Sequence, residues 1–238
     1  MDVRREALVR YGADEVVEIP FDLELSRKNP EQFVRDVLVG DIGAAVVVVG
    51  ENFRFGYRAA GDFGDLDRLM REMGGEAVAV DVRAAGGGPD ISSTRIRALI
   101  AEGKVEEAAG LLGQAFVLRG EVVAGDRRGR TIGFPTANVL PDEEAVVPAY
   151  GVYAGFVLVG DQEFVACTNV GVAPTFARTD SRVEAYLLDF DGDLYGRTVD
   201  VGFTHRIRGE KKFSGIDELK EQIQNDVETA RSLAKNGR

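Results

Sequence analysis

Val152-Tyr-Ala-Gly-Phe-Val-Leu-Val159 and Glu163-Phe-Val-Ala-Cys-Thr-Asn169, parted by a turn at Gly160-Asp161, decide the fold of the second half of the chain. Each is a short strand-like run rich in β-branched and aromatic residues and bounded by turn residues. The same texture recurs at Phe116 to Val123, Arg182 to Phe190 and Thr198 to Phe203, with another turn at Asp191-Gly192-Asp193. Such a succession predicts an antiparallel barrel or sandwich. Beyond it Ile216, Leu219, Ile223, Val227 and Ala230 recur at helical spacing, so a closing helix over Ile216 to Leu233 packs on the strands.

Upstream the pattern changes to alternating helices and strands. Val3 to Tyr11 reads as a helix stopped by Gly12, and Glu15 to Pro20 as a strand. Pro30 opens a helix with Phe33, Val34, Val37 and Leu38 on one face. The valine-rich run Ala44 to Val49 reads as a strand buried on both faces of a parallel sheet, and Ala77 to Val82 as another. Leu66 to Met73, Arg95 to Glu102 and Val105 to Leu112 read as helices, and three glycines mark a loop over Ala84 to Pro89. This alternation predicts a doubly wound α/β sheet. The domain boundary falls near residues 110 to 116. A doubly wound nucleotide fold normally opens on a strand whose loop holds phosphates, whereas this chain opens on a helix, so the half reads as incomplete.

The composition narrows the function classes. A chain of 238 residues, 45% hydrophobic and 29% charged, is that of an ordinary globular protein. Forty acidic against 29 basic side chains leave a net charge of -11, which argues against nucleic-acid or anionic-membrane partners. Cys167 is the only cysteine, so there is no intrachain disulfide, and a reducing cytoplasm fits best. No apolar run approaches the ~20 residues that span a bilayer, and the charged N-terminus is unlike a signal peptide. The sole histidine, His205, excludes a zincin or any site built on two imidazoles.

The densest chemical segment is Gly125-Asp-Arg-Arg-Gly-Arg-Thr-Ile-Gly-Phe-Pro-Thr-Ala-Asn138. Its glycines and arginines can bring backbone N–H groups and guanidiniums to a polyphosphate. Thr136 and Asn138, two residues apart in an extended segment, point the same way and could share one hard cation such as magnesium. The bland alternative is a solvated Arg-Gly hairpin loop. Glu184 lies in a run that otherwise reads as core; desolvated there, it would suit proton abstraction from a hydroxyl. The alternative is a glutamate on the solvent side of the sheet. Arg206 to Phe213 could hold an anionic or planar ligand, or be a charged loop. In the first half, Gly50-Glu-Asn-Phe-Arg-Phe-Gly56 follows a strand at its ligand-binding end, and Ser92-Ser-Thr-Arg-Ile-Arg97 opens a helix that could receive phosphates or merely be N-capped by serine.

Gly129 to Asn138, Gly151-Val-Tyr153, Asn169-Val-Gly-Val-Ala-Pro-Thr175, Glu184 through Phe190 and Arg208-Gly-Glu-Lys-Lys-Phe213 together resemble the riboflavin kinase module. Gly50 to Gly56 and Ile91 to Arg97 resemble the FMN adenylyltransferase (FAD synthetase) module that precedes it in the prokaryotic bifunctional family. The resemblance implies two domains: a truncated Rossmann-like nucleotidyltransferase over residues 1–112, and a six-stranded antiparallel barrel with a C-terminal helix over residues 113–238. It further implies phosphorylation of the riboflavin 5′-hydroxyl to FMN, with ATP as co-substrate and ADP as by-product. Glu184 would be the general base, Thr136 and Asn138 the magnesium ligands, and Gly125, Gly129, Arg130 and Gly133 the phosphate loop. Arg208 would belong to the flavin side. Asn52, Ser92, Ser93, Thr94, Arg95 and Arg97 would be what remains of the adenylyltransferase site.

The family's adenylyltransferase motif carries two histidines that this sequence lacks. Either the gene start lies further upstream or the protein is shortened; in both cases FMN formation is expected and FAD formation is not. A competing class is a non-catalytic flavin-binding or regulatory protein, self-associating through the unpaired sheet edge of the shortened half.

Overall fold

The structure is a computed structural model that describes residues 3–81, 91–125, 128–142, 144–172 and 181–236. The glycine loop expected over Ala84 to Pro89, and Ala173 to Thr175 of one motif, lie outside the described residues. The chain forms two compact units, residues 1–91 and 92–238.

The first unit runs α1 (Val3–Arg10), α2 (Leu23–Arg27), α3 (Pro30–Gln32) continuing as a π-helical turn over Phe33–Asp41, β1 (Val46–Gly50), α4 (Phe63–Glu72) and β2 (Glu76–Val80). Pro30 sits in the first turn, where its missing N–H costs nothing, and Asn29 with Gln32 closes a capping box ahead of it. Strands β1 and β2 pair in parallel, Val48 opposite Val78. Val34, Leu66, Met70 and Ala77 form the core against the inner faces of Val47 and Val49.

Two expectations fail here. Residues Glu15 to Pro20 carry strand-like residues but form no strand; Val17 and Ile19 are exposed, with no ladder to satisfy their backbone. Strands β1 and β2 are not buried on both faces: Val46, Val48 and Val80 are 54%, 60% and 52% exposed. Hydrophobicity alone reports what a strand could bury; among the described residues the core of this unit meets one face of the pair.

The second unit contains α5 (Ser93–Ala101), α6 (Val105–Leu112), β3 (Phe116–Val123), α7 (Arg128–Thr131), β4 (Ala137–Pro141), β5 (Gly151–Val159), β6 (Gln162–Val172), β7 (Ser181–Leu187), β8 (Thr198–Arg208) and α8 (Ile216–Asn236). The six strands close into a barrel in the order β3-β4-β7-β6-β5-β8, every pairing antiparallel. Closure leaves no free edge. Alternate residues fill the interior, among them Leu118, Val139, Tyr153, Val183, Val201 and Phe203.

A second apolar layer lies on the outside of the wall. Val152, Ala154, Cys167 and Leu188 point outward and are covered by Val227 and Ala230 of α8. Burial under this helix pushes the Cys167 thiol up to about 12, so it stays protonated and inert. Helices α5 and α6 pack with each other through Leu99, Ile100 and Ala108, and reach Phe116 of the barrel. The compact unit that holds the barrel also takes in α5 and α6. No helix among the described residues is long and apolar enough to cross a membrane.

Candidate functional site

Register places the scattered motifs at one level of the barrel wall. Asn138 of β4 is opposite Glu184 of β7, and Glu184 is opposite Asn169 of β6. Asn169 is in turn opposite Val152 of β5, and Val152 opposite Arg208 of β8. Flanking residues on these strands, Val139, Val183, Ala185, Val170 and Tyr153, are all buried inside the barrel. Side chains alternate along a strand, so the row of Asn138, Glu184, Asn169 and Val152 faces outward.

Glu184 is therefore not the desolvated core carboxylate that its strand suggests. It stands on the outer wall, 26% exposed, with Oε1 2.9 Å from Nη2 of Arg182. The run looks like core because its outer face is apolar as well: Tyr186 meets Phe134 edge-on at 5.6 Å, and Leu188 lies in the layer under α8. The solvent-side alternative describes its orientation, yet it lies beside Asn138 on the neighbouring strand.

Asn138 is itself 9% exposed, and its Oδ1 accepts a 2.9 Å hydrogen bond from Nε of Arg182. Gly125 lies flat against this amide: a Cβ there would overlap the Asn138 side chain. The α7 turn closes through Phe134 N–H to Gly129 carbonyl at 2.9 Å, and Gly133 holds φ at +93°, a conformation that favours glycine. Gly129, Thr136 and Asn138 line a pocket of about 430 Å³ whose far wall is Phe190 and the Asp191 to Tyr195 loop. Arg130 belongs to α7; its side chain lies outside the described residues.

Arg208 is committed elsewhere. Its guanidinium grips the carboxylate of Asp226 on α8, Nη2 to Oδ2 at 2.7 Å, and donates to the Gly209 carbonyl. It also lies over the Phe213 ring, 5.8 Å from the centroid. Asp226 is 3% exposed and takes a further bond from Gln222. His205 faces Thr204 Oγ1 at 3.2 Å. Among the remaining candidates, Ser92 caps α5 by accepting from Arg95 N–H at 3.2 Å, so the capping reading is the one seen there. Ser93, Thr94 and Arg97 are exposed on the first turns of the same helix, and Asn52 is exposed in the turn after β1.

Sequence reasoning passed over Arg182, Asn169 and Asp226 as individual site residues. Arg182 had a usable signal, since it precedes Glu184 by two positions and so shares its face. Asn169 belongs to a quoted motif, but its closeness to Glu184 comes only from strand order.

The closed six-stranded barrel thus sets a glycine-bearing turn, the side-chain oxygens of Thr136 and Asn138, and the Glu184 carboxylate on adjoining segments of its wall. The riboflavin kinase family model matches residues 112–234, and the FAD synthetase model residues 1–95. A bifunctional riboflavin kinase/FMN adenylyltransferase of Escherichia coli K12 is 40% identical over 227 residues, covering 95% of this chain and 72% of its own. One of Listeria monocytogenes is 33% identical over 234 residues, covering 98% and 74%. A crystal structure described as a macrolide-efflux protein from Streptococcus pneumoniae is 36% identical with a TM-score of 0.85, over 96% of this chain and 73% of that one. The chain belongs to the bifunctional riboflavin kinase/FMN adenylyltransferase family, and its barrel is an ATP-dependent riboflavin kinase module.

Proposed function

We propose that the outer face of the barrel transfers the γ-phosphoryl group of ATP to the riboflavin 5′-hydroxyl, with Glu184 as the general base. The observation that carries this reading is the single row of Asn138, Glu184, Asn169, Val152 and Arg208, which gathers five motifs at one level. Phosphoryl transfer asks a protein mainly for positioning and charge neutralisation. Glu184, on the wall and partly open to solvent, can reach a substrate hydroxyl and accept its proton. The hydroxyl oxygen then bonds to the γ-phosphorus as the bond to the β–γ bridging oxygen breaks and ADP leaves.

The donor set suits a hard cation. Thr136 Oγ1 and Asn138 Oδ1 are neutral oxygens two positions apart, and Asn138 Oδ1 already accepts from a positive group. They would hold the magnesium ion of Mg-ATP, which supplies neutralisation of phosphate charge. Gly125, Gly129 and Gly133 would let backbone N–H groups close on the phosphates, with Arg130 in the same loop. Arg208, tied to Asp226, would orient the flavin-side segment through Phe213 rather than reach the substrate as a free cation. Gly125→Ala is expected to displace the Asn138 amide and cost about 1–3 kcal/mol of Mg-ADP affinity, read by calorimetry against the wild type.

We assign residues 113–238 to the kinase module and 1–112 to the adenylyltransferase module, with Asn52 and Ser92 to Arg97 as phosphate-side remnants of the latter. The net acidity and the single reduced cysteine support a cytoplasmic enzyme without nucleic-acid partners. No observation favours the non-catalytic reading. The sole histidine of these 238 residues is His205 on β8, so the double-histidine motif is not among them. Incubated with riboflavin and Mg-ATP, the 238-residue polypeptide is expected to release FMN and no FAD. Chromatographic separation of the products tests both halves: absence of FMN overturns the kinase assignment, and a substantial FAD peak overturns the second claim.

A further inference from the structure

The oxygen of Asn138 that would face a nucleotide-borne cation already carries one. Arg182 reaches across from β7 and uses two edges of its fork, Nε to Asn138 Oδ1 and Nη2 to Glu184 Oε1, each at 2.9 Å. Its side chain is 19% exposed, so the contact is partly shielded from water. The planar guanidinium can join two acceptors on adjacent strands in a fixed geometry, which a lysine cannot do with one point charge. It is thereby one donor shared by an amide oxygen and a carboxylate at neighbouring register positions.

We infer that Arg182 is an internal cation that holds Asn138 and Glu184 together and competes with nucleotide-borne magnesium for Asn138 Oδ1. Two positive centres on one amide oxygen repel each other, so magnesium-nucleotide binding draws the guanidinium off Asn138 while its bond to Glu184 can persist. Arg182 is thus a positioning residue that sets how much magnesium the enzyme needs. The inference rests on the proposal that Thr136 and Asn138 hold the metal of Mg-ATP.

The test is calorimetric titration of ADP into the full chain over a series of MgCl₂ concentrations, for the wild type, Arg182→Met and Arg182→Gln. In both variants the magnesium concentration that half-restores ADP affinity is expected to fall by roughly 5-fold, the scale of one partly exposed charge contact that no longer has to be broken. ADP affinity in EDTA is expected to stay within about 2-fold of the wild type, because no phosphate contact is removed. The glutamine variant carries the test should the methionine variant fail to fold. If magnesium strengthens ADP binding equally in the wild type and the variants, the Arg182 inference is wrong and the metal assignment stands. Weaker ADP binding in EDTA also overturns it, marking Arg182 as a phosphate ligand. If magnesium has no effect on ADP binding in the wild type, the metal assignment itself fails and takes the inference with it.

Discussion

Glu184→Gln is expected to lower the turnover number for FMN formation by roughly 100- to 10,000-fold, the range a positioned general base supplies. Glutamine keeps the shape and can still accept from Arg182 through its amide oxygen, so the β7 wall and its contact to Asn138 stay in place. Riboflavin affinity, followed by quenching of flavin fluorescence, is expected to change by no more than a few-fold, roughly what one lost neutral hydrogen bond is worth. The split between turnover and binding is the informative part. A variant that retains a tenth or more of wild-type turnover would remove Glu184 from the chemistry and leave it as the ion-pair partner of Arg182.

Asp226→Ala is expected to produce the largest loss of stability. The carboxylate is 3% exposed and is the acceptor for both Nε and Nη2 of Arg208. Removing it leaves a partly buried guanidinium whose remaining contacts among the described residues are the Gly209 carbonyl and the Phe213 ring. Breaking a buried pair from one side costs about 3–5 kcal/mol, and the 21% exposure of Arg208 puts this case near the lower end. For a unit of this size the thermal midpoint should drop by roughly 6–12 °C, measured by far-ultraviolet circular dichroism. The loss is expected to fall on the docking of α8, since Val227 follows Asp226 directly and seals the outer apolar layer. A midpoint within about 2 °C of wild type would mean that Arg208 is fully solvated once freed.

The barrel was largely legible in the sequence because most of its strands are short runs of β-branched and aromatic residues set apart by turn residues, as at Gly160-Asp161 and Asp191-Gly192-Asp193. The short β4, ending at Pro141 and set between a glycine loop and a turn, has too few alternating positions to read as a strand, although Thr136 to Asn138 was legible as extended. Glu15 to Pro20 failed in the opposite sense: its composition suits a strand, but composition cannot supply a pairing partner. The orientation of Glu184 was hidden because α8 and Phe134 make the outer face of β7 apolar, so both sides of the strand read as core. Nor could the gathering of Asn138, Asn169, Glu184 and Arg208 be read from spacing. It depends on the order β3-β4-β7-β6-β5-β8, in which β7 is inserted between β4 and β6. The chemistry of each residue was local information; their meeting was not.

A row of polar residues strung along a single tier of a closed cylinder constrains how such a gene can drift. Losing or gaining one codon within β4, β6 or β7 would rotate that strand's side chains by half a turn, sending Asn138, Asn169 or Glu184 inward and a valine out. Point changes at these positions can be repaired one at a time, whereas frame-preserving length changes there cannot. Length variation among descendants of this chain is therefore steered into the turns, such as Gly160-Asp161, where an added residue leaves the tier untouched.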